Sequence, residues 1–299
     1  MILEYLQPNP DIWDGVTVVV RAAYYVASLG AAGLAAFALA FGHRLVEEEV
    51  ARLRRVIGMA VLVAMLLSLA AAVVRVQLLS AGDLSDLKVW EAMFRSRIGD
   101  AFYLRMAGLA LIGALAFPWR LGPALAGAGI LLVIGSYAAM GHSMLYRPRQ
   151  ELAAIVVVHL ACVAFWAGSL VPLAWVARRG DAAAAGLVED WSRVALLVVA
   201  VLVASGVLGA ILLIGRADLV LGSWYGNAFL VKIALVAVVM AFAARHKLVL
   251  SRDLSARVAD APDRLARSIR LETVAMILVF YAAAELVSVH PVDLGHRIR

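Results

Sequence analysis

Residues 191–213 read WSRVALLVVAVLVASGVLGAILL. After the opening Trp-Ser-Arg the stretch carries no charge. As a helix rising 1.5 Å per residue it reaches about 30 Å, the thickness of a bilayer's hydrocarbon core. A run of this length and polarity is a membrane span, and its like recurs along the chain. Apolar runs at 16–41, 52–79, 101–117, 122–141, 151–176, 192–215, 227–244 and 269–290 predict eight transmembrane helices.

Composition agrees. The chain has 299 residues, 64% hydrophobic and 16% charged, with a mean hydropathy of +0.92, whereas soluble domains are about 45–50% apolar and about 25% charged. The expected fold is an all-α polytopic membrane protein. The net charge of +6 is then a matter of topology rather than of nucleic-acid binding. A single cysteine, Cys162, excludes an internal disulfide framework and reads as a small buried apolar side chain. Residues 1–20 lack Lys and Arg, so the first run reads as a retained helix and not as a signal peptide.

Lys and Arg are unevenly placed. The connections after spans one, three, five and seven hold 15, and the opposite connections with the tail hold 8. By the positive-inside rule both termini face outward, toward the periplasm of a bacterial inner membrane. The basic segment 245–268 then lies inside as a topology determinant against anionic lipid. Residues 80–100, with Trp90, Met93 and Phe94, predict an interfacial helix on the outer side.

IGDAFYLRMAGLALIGALAF (98–117) lies over YGNAFLVKIALVAVVMAFAA (225–244), pairing Gly99 with Gly226, Phe102 with Phe229 and Arg105 with Lys232. This implies a four-plus-four parallel repeat, with halves 1–150 and 151–299 forming one membrane domain. The fourth and eighth spans then both end outward in a histidine, His142 and His290.

Ionisable groups within spans are costly and read as functional by default. Arg21, Arg75, Arg105, Lys232 and Glu285 all fall near the outer ends of their spans, with His159 about two turns below the rim. Snorkelling is the simple explanation for the arginines, and a Lys232–Glu285 bridge for that pair. The inner half shows no polar ladder, and His43 and His246 read as ordinary surface histidines.

Met140-Gly141-His142-Ser143-Met144 ends the fourth span. In a helix i and i+2 diverge, but extended backbone after Gly141 puts Met140, His142 and Met144 on one side. Thioether with imidazole suits Cu(I), and imidazole alone suits Cu(II). The candidate metal ligands are Met140, His142, Met144, His290 and, deeper, His159. The alternative is a b-type haem electron carrier, for which His142, His159 and His290 offer axial ligands. No catalytic constellation and no phosphate-binding Gly-Lys-Ser/Thr loop stands in the chain, so the protein reads as a non-enzyme without direct ATP drive.

VVHLACVAFWAGSLVPLAWVARR (157–179), with His159, Trp166 and Gly168 ahead of an arginine pair, resembles a span of the copper resistance protein D (CopD) family. The stretch at 191–213 is similar to that family's next span. LGSWYGNAFLVKIALVAVVMAFAARHK, with Tyr225, Gly226 and Lys232, resembles its Tyr-Gly-x-x-Leu-x-x-Lys span, and Gly141-His142-Ser143 its Gly-His-Ala/Ser ending. The resemblance implies an inner-membrane protein that handles copper delivered from the periplasm, beside a separate periplasmic copper-binding partner. Trp166, Tyr225, Arg105, Lys232 and Glu285 would flank the metal path.

Overall fold

The computed structural model describes residues 12–139, 149–214 and 224–288. Every regular element among them is helical: α1 (Ile12–Phe41), α2 (Glu47–Leu79), α3 (Leu87–Phe94), α4 (Arg97–Gly113), α5 (Gly122–Ala138), α6 (Arg149–Arg179), α7 (Ala182–Ile214), α8 (Trp224–Arg245), α9 (Ser251–Ser255) and α10 (Ala261–Ser288). A π-helical turn, His246–Leu250, joins α8 to α9.

Among the described residues seven helices are long and apolar enough to cross a membrane. The fourth predicted span corresponds to α5, an apolar helix of 17 residues. It ends at Ala138, short of the predicted end at residue 141. Met140, His142, Met144 and His290 lie outside the described residues.

α7, the helix of the 191–213 stretch, buries none of its most apolar window inside the bundle. Leu196 and Leu197 are 66% and 68% exposed. A water-soluble fold would not leave so continuous an apolar face open; here it is the surface offered to lipid.

Packing centres on α1, which contacts α2, α4, α5, α6 and α10. Where α1 crosses α6, Gly33 meets Gly168: a Cβ on Gly168 would lie 2.4 Å from the carbonyl carbon of Gly33, and one on Gly33 would overlap the Ala164 carbonyl. Backbone approaches backbone there, as small residues permit between membrane helices. Pro172 sits inside α6 and withholds the amide that would bond the carbonyl of Gly168, loosening α6 beside this crossing. Gly108 of α4 and Gly129 of α5 make a second such contact.

The helices overrun the predicted spans at one end. α7 starts ten residues before its predicted span because Asp181 caps it, its Oδ1 accepting from the backbone N–H of Ala184 at 2.6 Å. These polar extensions meet. Arg179 bridges Glu49 at 3.1 Å, Lys247 bridges Glu189 at 3.1 Å, and Arg44 pairs with Asp190. The connections after the first, fifth and seventh long helices of the sequence reading therefore converge on one end, the basic end. At the opposite end α3 covers α2, with Met93 buried against Ala72 and Val76.

Candidate functional site

His159, on α6, is the one predicted metal ligand within the described residues. Its Nδ1 lies 3.2 Å from the Ser205 hydroxyl of α7. That hydroxyl spends its only hydrogen on the carbonyl of Leu202, at 3.0 Å. Ser205 must then accept, and the neutral imidazole carries its proton on Nδ1, leaving the lone pair on Nε2. Gly206 makes room: a side chain there would reach the His159 ring, whose Cε1 is 3.4 Å from the position a Cβ would take. Lys232 of α8 lies within electrostatic reach of the ring. The predicted Lys232–Glu285 bridge is absent, since neither residue has an ion-pair partner among the described residues. Tyr225 belongs to α8, and its side chain lies outside the described set. Among the described residues no three His, Cys, Asp or Glu side chains gather as a metal cluster.

Arg105 does not snorkel. It is 4% exposed, and its Cζ lies 4.9 Å from the ring centroid of Tyr24 and 4.6 Å from that of Tyr137. Its Nε donates to Ser136 Oγ at 3.3 Å, and Ser136 passes its own hydrogen to the Val133 carbonyl. Tyr24, Tyr25 and Tyr137 form one aromatic cluster around it.

Toward the basic end lies a polar network that the sequence reading missed. Glu272 of α10, 1% exposed, accepts from Trp166 Nε1 of α6 at 2.8 Å. Its other oxygen lies 3.1 Å from Nδ1 of His246, too far off line to count as a hydrogen bond. His246 Nε2 meets the Ser268 hydroxyl at 2.8 Å. His246 is therefore no surface histidine; it is 7% exposed and belongs to the π turn, a local widening often found at functional places. The basic half of the bundle is not free of buried polar groups either. Two features could have pointed to the network: a glutamate inside the apolar approach to the last span, and Ser268 four residues before it on the same helical face. Trp166, expected to flank a metal path, ties α6 to α10.

Comparison with curated proteins and with solved structures returns no significant match. Two family models do match. One describes the N-terminal domain of copper resistance protein D-like proteins and covers residues 11–147. The other describes copper resistance protein D and covers residues 185–286. Together they span both halves of the helical bundle, and the chain belongs to the copper resistance protein D family.

Proposed function

We propose that this membrane protein takes up copper from the outer side of a bacterial inner membrane and passes it inward. In this reading eight spans form two parallel four-helix halves, 1–150 and 151–299, with both termini outside. Met140, His142, Met144 and His290 form the outer copper site, supplied by a separate periplasmic copper-binding protein, and His159 is a deeper ligand.

The observation that carries this reading is the orientation of His159. Its Nδ1 is engaged by the Ser205 hydroxyl, which in turn donates to the Leu202 carbonyl, and this leaves Nε2 as the electron-pair donor a soft or borderline metal ion requires. Imidazoles that bind metals characteristically have their second nitrogen fixed in this way. Lys232 nearby repels a cation held at that nitrogen, which suits a point of passage better than a store. The membrane potential supplies the drive, about 2.3 kcal/mol per charge per 100 mV in the direction of cation entry.

The test is copper content and absorption spectrum of the purified protein, after loading with Cu(I) and with Cu(II). Beside it stand the double variant His142→Ala with His290→Ala, and His159→Ala. Copper is expected on the wild type and lost from the double variant. In proteoliposomes His159→Ala should slow uptake at least tenfold while leaving outer binding in place. Copper retained by the double variant would refute the outer site, and a Soret band would move the histidines to haem ligation.

A further inference from the structure

Arg105 is buried among α1, α4 and α5, and its guanidinium is not satisfied there. Nε is bonded to Ser136, but Nη2 is buried without a hydrogen-bond partner. A guanidinium does not shed its charge inside a protein. The faces of Tyr24 and Tyr137 offset part of that charge, yet they offer no acceptor for an in-plane N–H. The hydroxyls nearby are already committed: Ser28 donates to the Tyr24 carbonyl at 2.5 Å and so accepts from Tyr137 at 2.5 Å.

Two more arginines stand on the neighbouring helices. Arg21 of α1 acts electrostatically on Tyr25 and on Arg75 of α2, and Arg75 acts in turn on Tyr24. Among the described residues no Asp or Glu forms an ion pair with Arg21, Arg75 or Arg105. At the basic end, by contrast, Arg44, Arg179 and Lys247 each reach a carboxylate on another helix or connection. Arg75 lies exposed on the flank of α2, so the cluster runs from the lipid-facing surface inward to Arg105.

We propose that Arg105, with Arg21 and Arg75, binds a phosphate group at the end of the bundle opposite the basic end. Guanidinium forks match phosphate oxygens in geometry and charge. A phosphate has oxygens for several arginines at once, where a carboxylate has two. The phosphate comes either from a phospholipid headgroup entering sideways past Arg75, or free from the aqueous side. None of the three arginines is a proposed copper ligand, so this site is tested separately from copper uptake.

The experiment is phosphorus analysis and native mass spectrometry of the detergent-purified full chain after exhaustive washing, followed by titration of the delipidated protein with inorganic phosphate. Arg105→Gln, Arg75→Gln and, as a control at the basic end, Arg120→Gln are measured alongside. About one tightly held phosphate per wild-type chain is expected, with retention at least tenfold weaker in Arg105→Gln, several-fold weaker in Arg75→Gln and unchanged in Arg120→Gln. Phosphorus that extracts into organic solvent identifies a lipid headgroup; binding restored by inorganic phosphate alone identifies the free ion. If Arg105→Gln does not fold, the exposed Arg75→Gln decides. Wild type without bound phosphorus from either source, or equal retention in Arg75→Gln and Arg105→Gln, would overturn the proposal.

Discussion

Replacing Trp166 with Phe should weaken the fold through one identifiable atom, Glu272 Oε1. That oxygen is buried and accepts from the indole N–H at 2.8 Å, while Oε2 has no hydrogen-bond partner of its own. A hydrogen bond to a charged group contributes about 1.5–3 kcal/mol, and a buried acceptor left open costs a similar amount. Phe also leaves a small void, which adds a packing loss unrelated to Glu272. A double-mutant cycle with Glu272→Leu, which removes the acceptor, separates the two, because the void is the same in both backgrounds and cancels. The expected coupling is about 1.5–3 kcal/mol, or roughly 3–6 °C in Tm if a chain of this size moves about 2 °C per kcal/mol. The assay is thermal unfolding of the four proteins in one detergent, followed by tryptophan-independent light scattering and by circular dichroism. Single-variant shifts that add to within about 0.5 kcal/mol would refute the claim that the indole supports Glu272.

Two further outcomes follow from geometry. Gly168→Ala should destabilise by about 1–3 kcal/mol or more, since its Cβ would meet Gly33 backbone that has no rotamer to yield; Gly127→Ala, with nothing within 4 Å, should be neutral or slightly stabilising in the same thermal assay. Asp181 is held below the usual carboxylate range, first by Arg179 and then by the Ala184 amide. A depressed carboxyl stabilises above its unfolded value of about 3.9 and loses that contribution as pH falls through the folded one. Asp181→Asn should therefore lower Tm slightly at pH 7, by less than about 1 kcal/mol because the side chain is half exposed. The difference should begin to shrink below about pH 4 and vanish only once pH has fallen past the depressed folded value.

Hydropathy made the helices legible and misjudged their ends, for a physical reason. It senses where lipid gives way to water, whereas a helix stops where its caps are. Asp181 and Glu49 lie beyond the apolar runs, so the helical extensions that carry the ion pairs of the basic end were invisible to it. His246 was misread because it stands beside Arg245 in the basic connection, and Glu272, inside the predicted last span, was passed over. Their convergence depends on the approach of α8 to α10, which spacing along one helix cannot express. His159, by contrast, was legible as an ionisable group inside a span. Its tautomer was not, because the deciding hydroxyl belongs to α7.

Under the proposed function, the distribution of charge bears on how copper would cross. At the basic end α2, α6, α7 and α8 are joined by Glu49–Arg179, Arg44–Asp190 and Lys247–Glu189, and α6 is tied to α10 by Trp166–Glu272. At the other end no ion pair joins the long helices among the described residues, and Gly206 leaves His159 room beside α7. The arrangement is that of a bundle held at its basic end and looser at the other, which under the proposed topology is the outward-open side. Opening the basic end must part those pairs. The half-exposed pairs Arg44–Asp190 and Lys247–Glu189 contribute about 0–1 kcal/mol each, whereas Glu49 is buried against Arg179 and parting that pair costs more. Inverting a two-state equilibrium from 1:99 to 99:1 takes about 5.5 kcal/mol of differential binding. The Trp166–Glu272 bond is different, because breaking it strands a buried carboxylate. It therefore remains intact while the surface pairs exchange, and α6 and α10 move as one body. His246, on the turn that continues α8, holds that helix to α10 through Ser268 and Glu272, so under the proposed function α2 and α7 would be the helices to shift, and the His159–Ser205 contact between α6 and α7 lies on that seam.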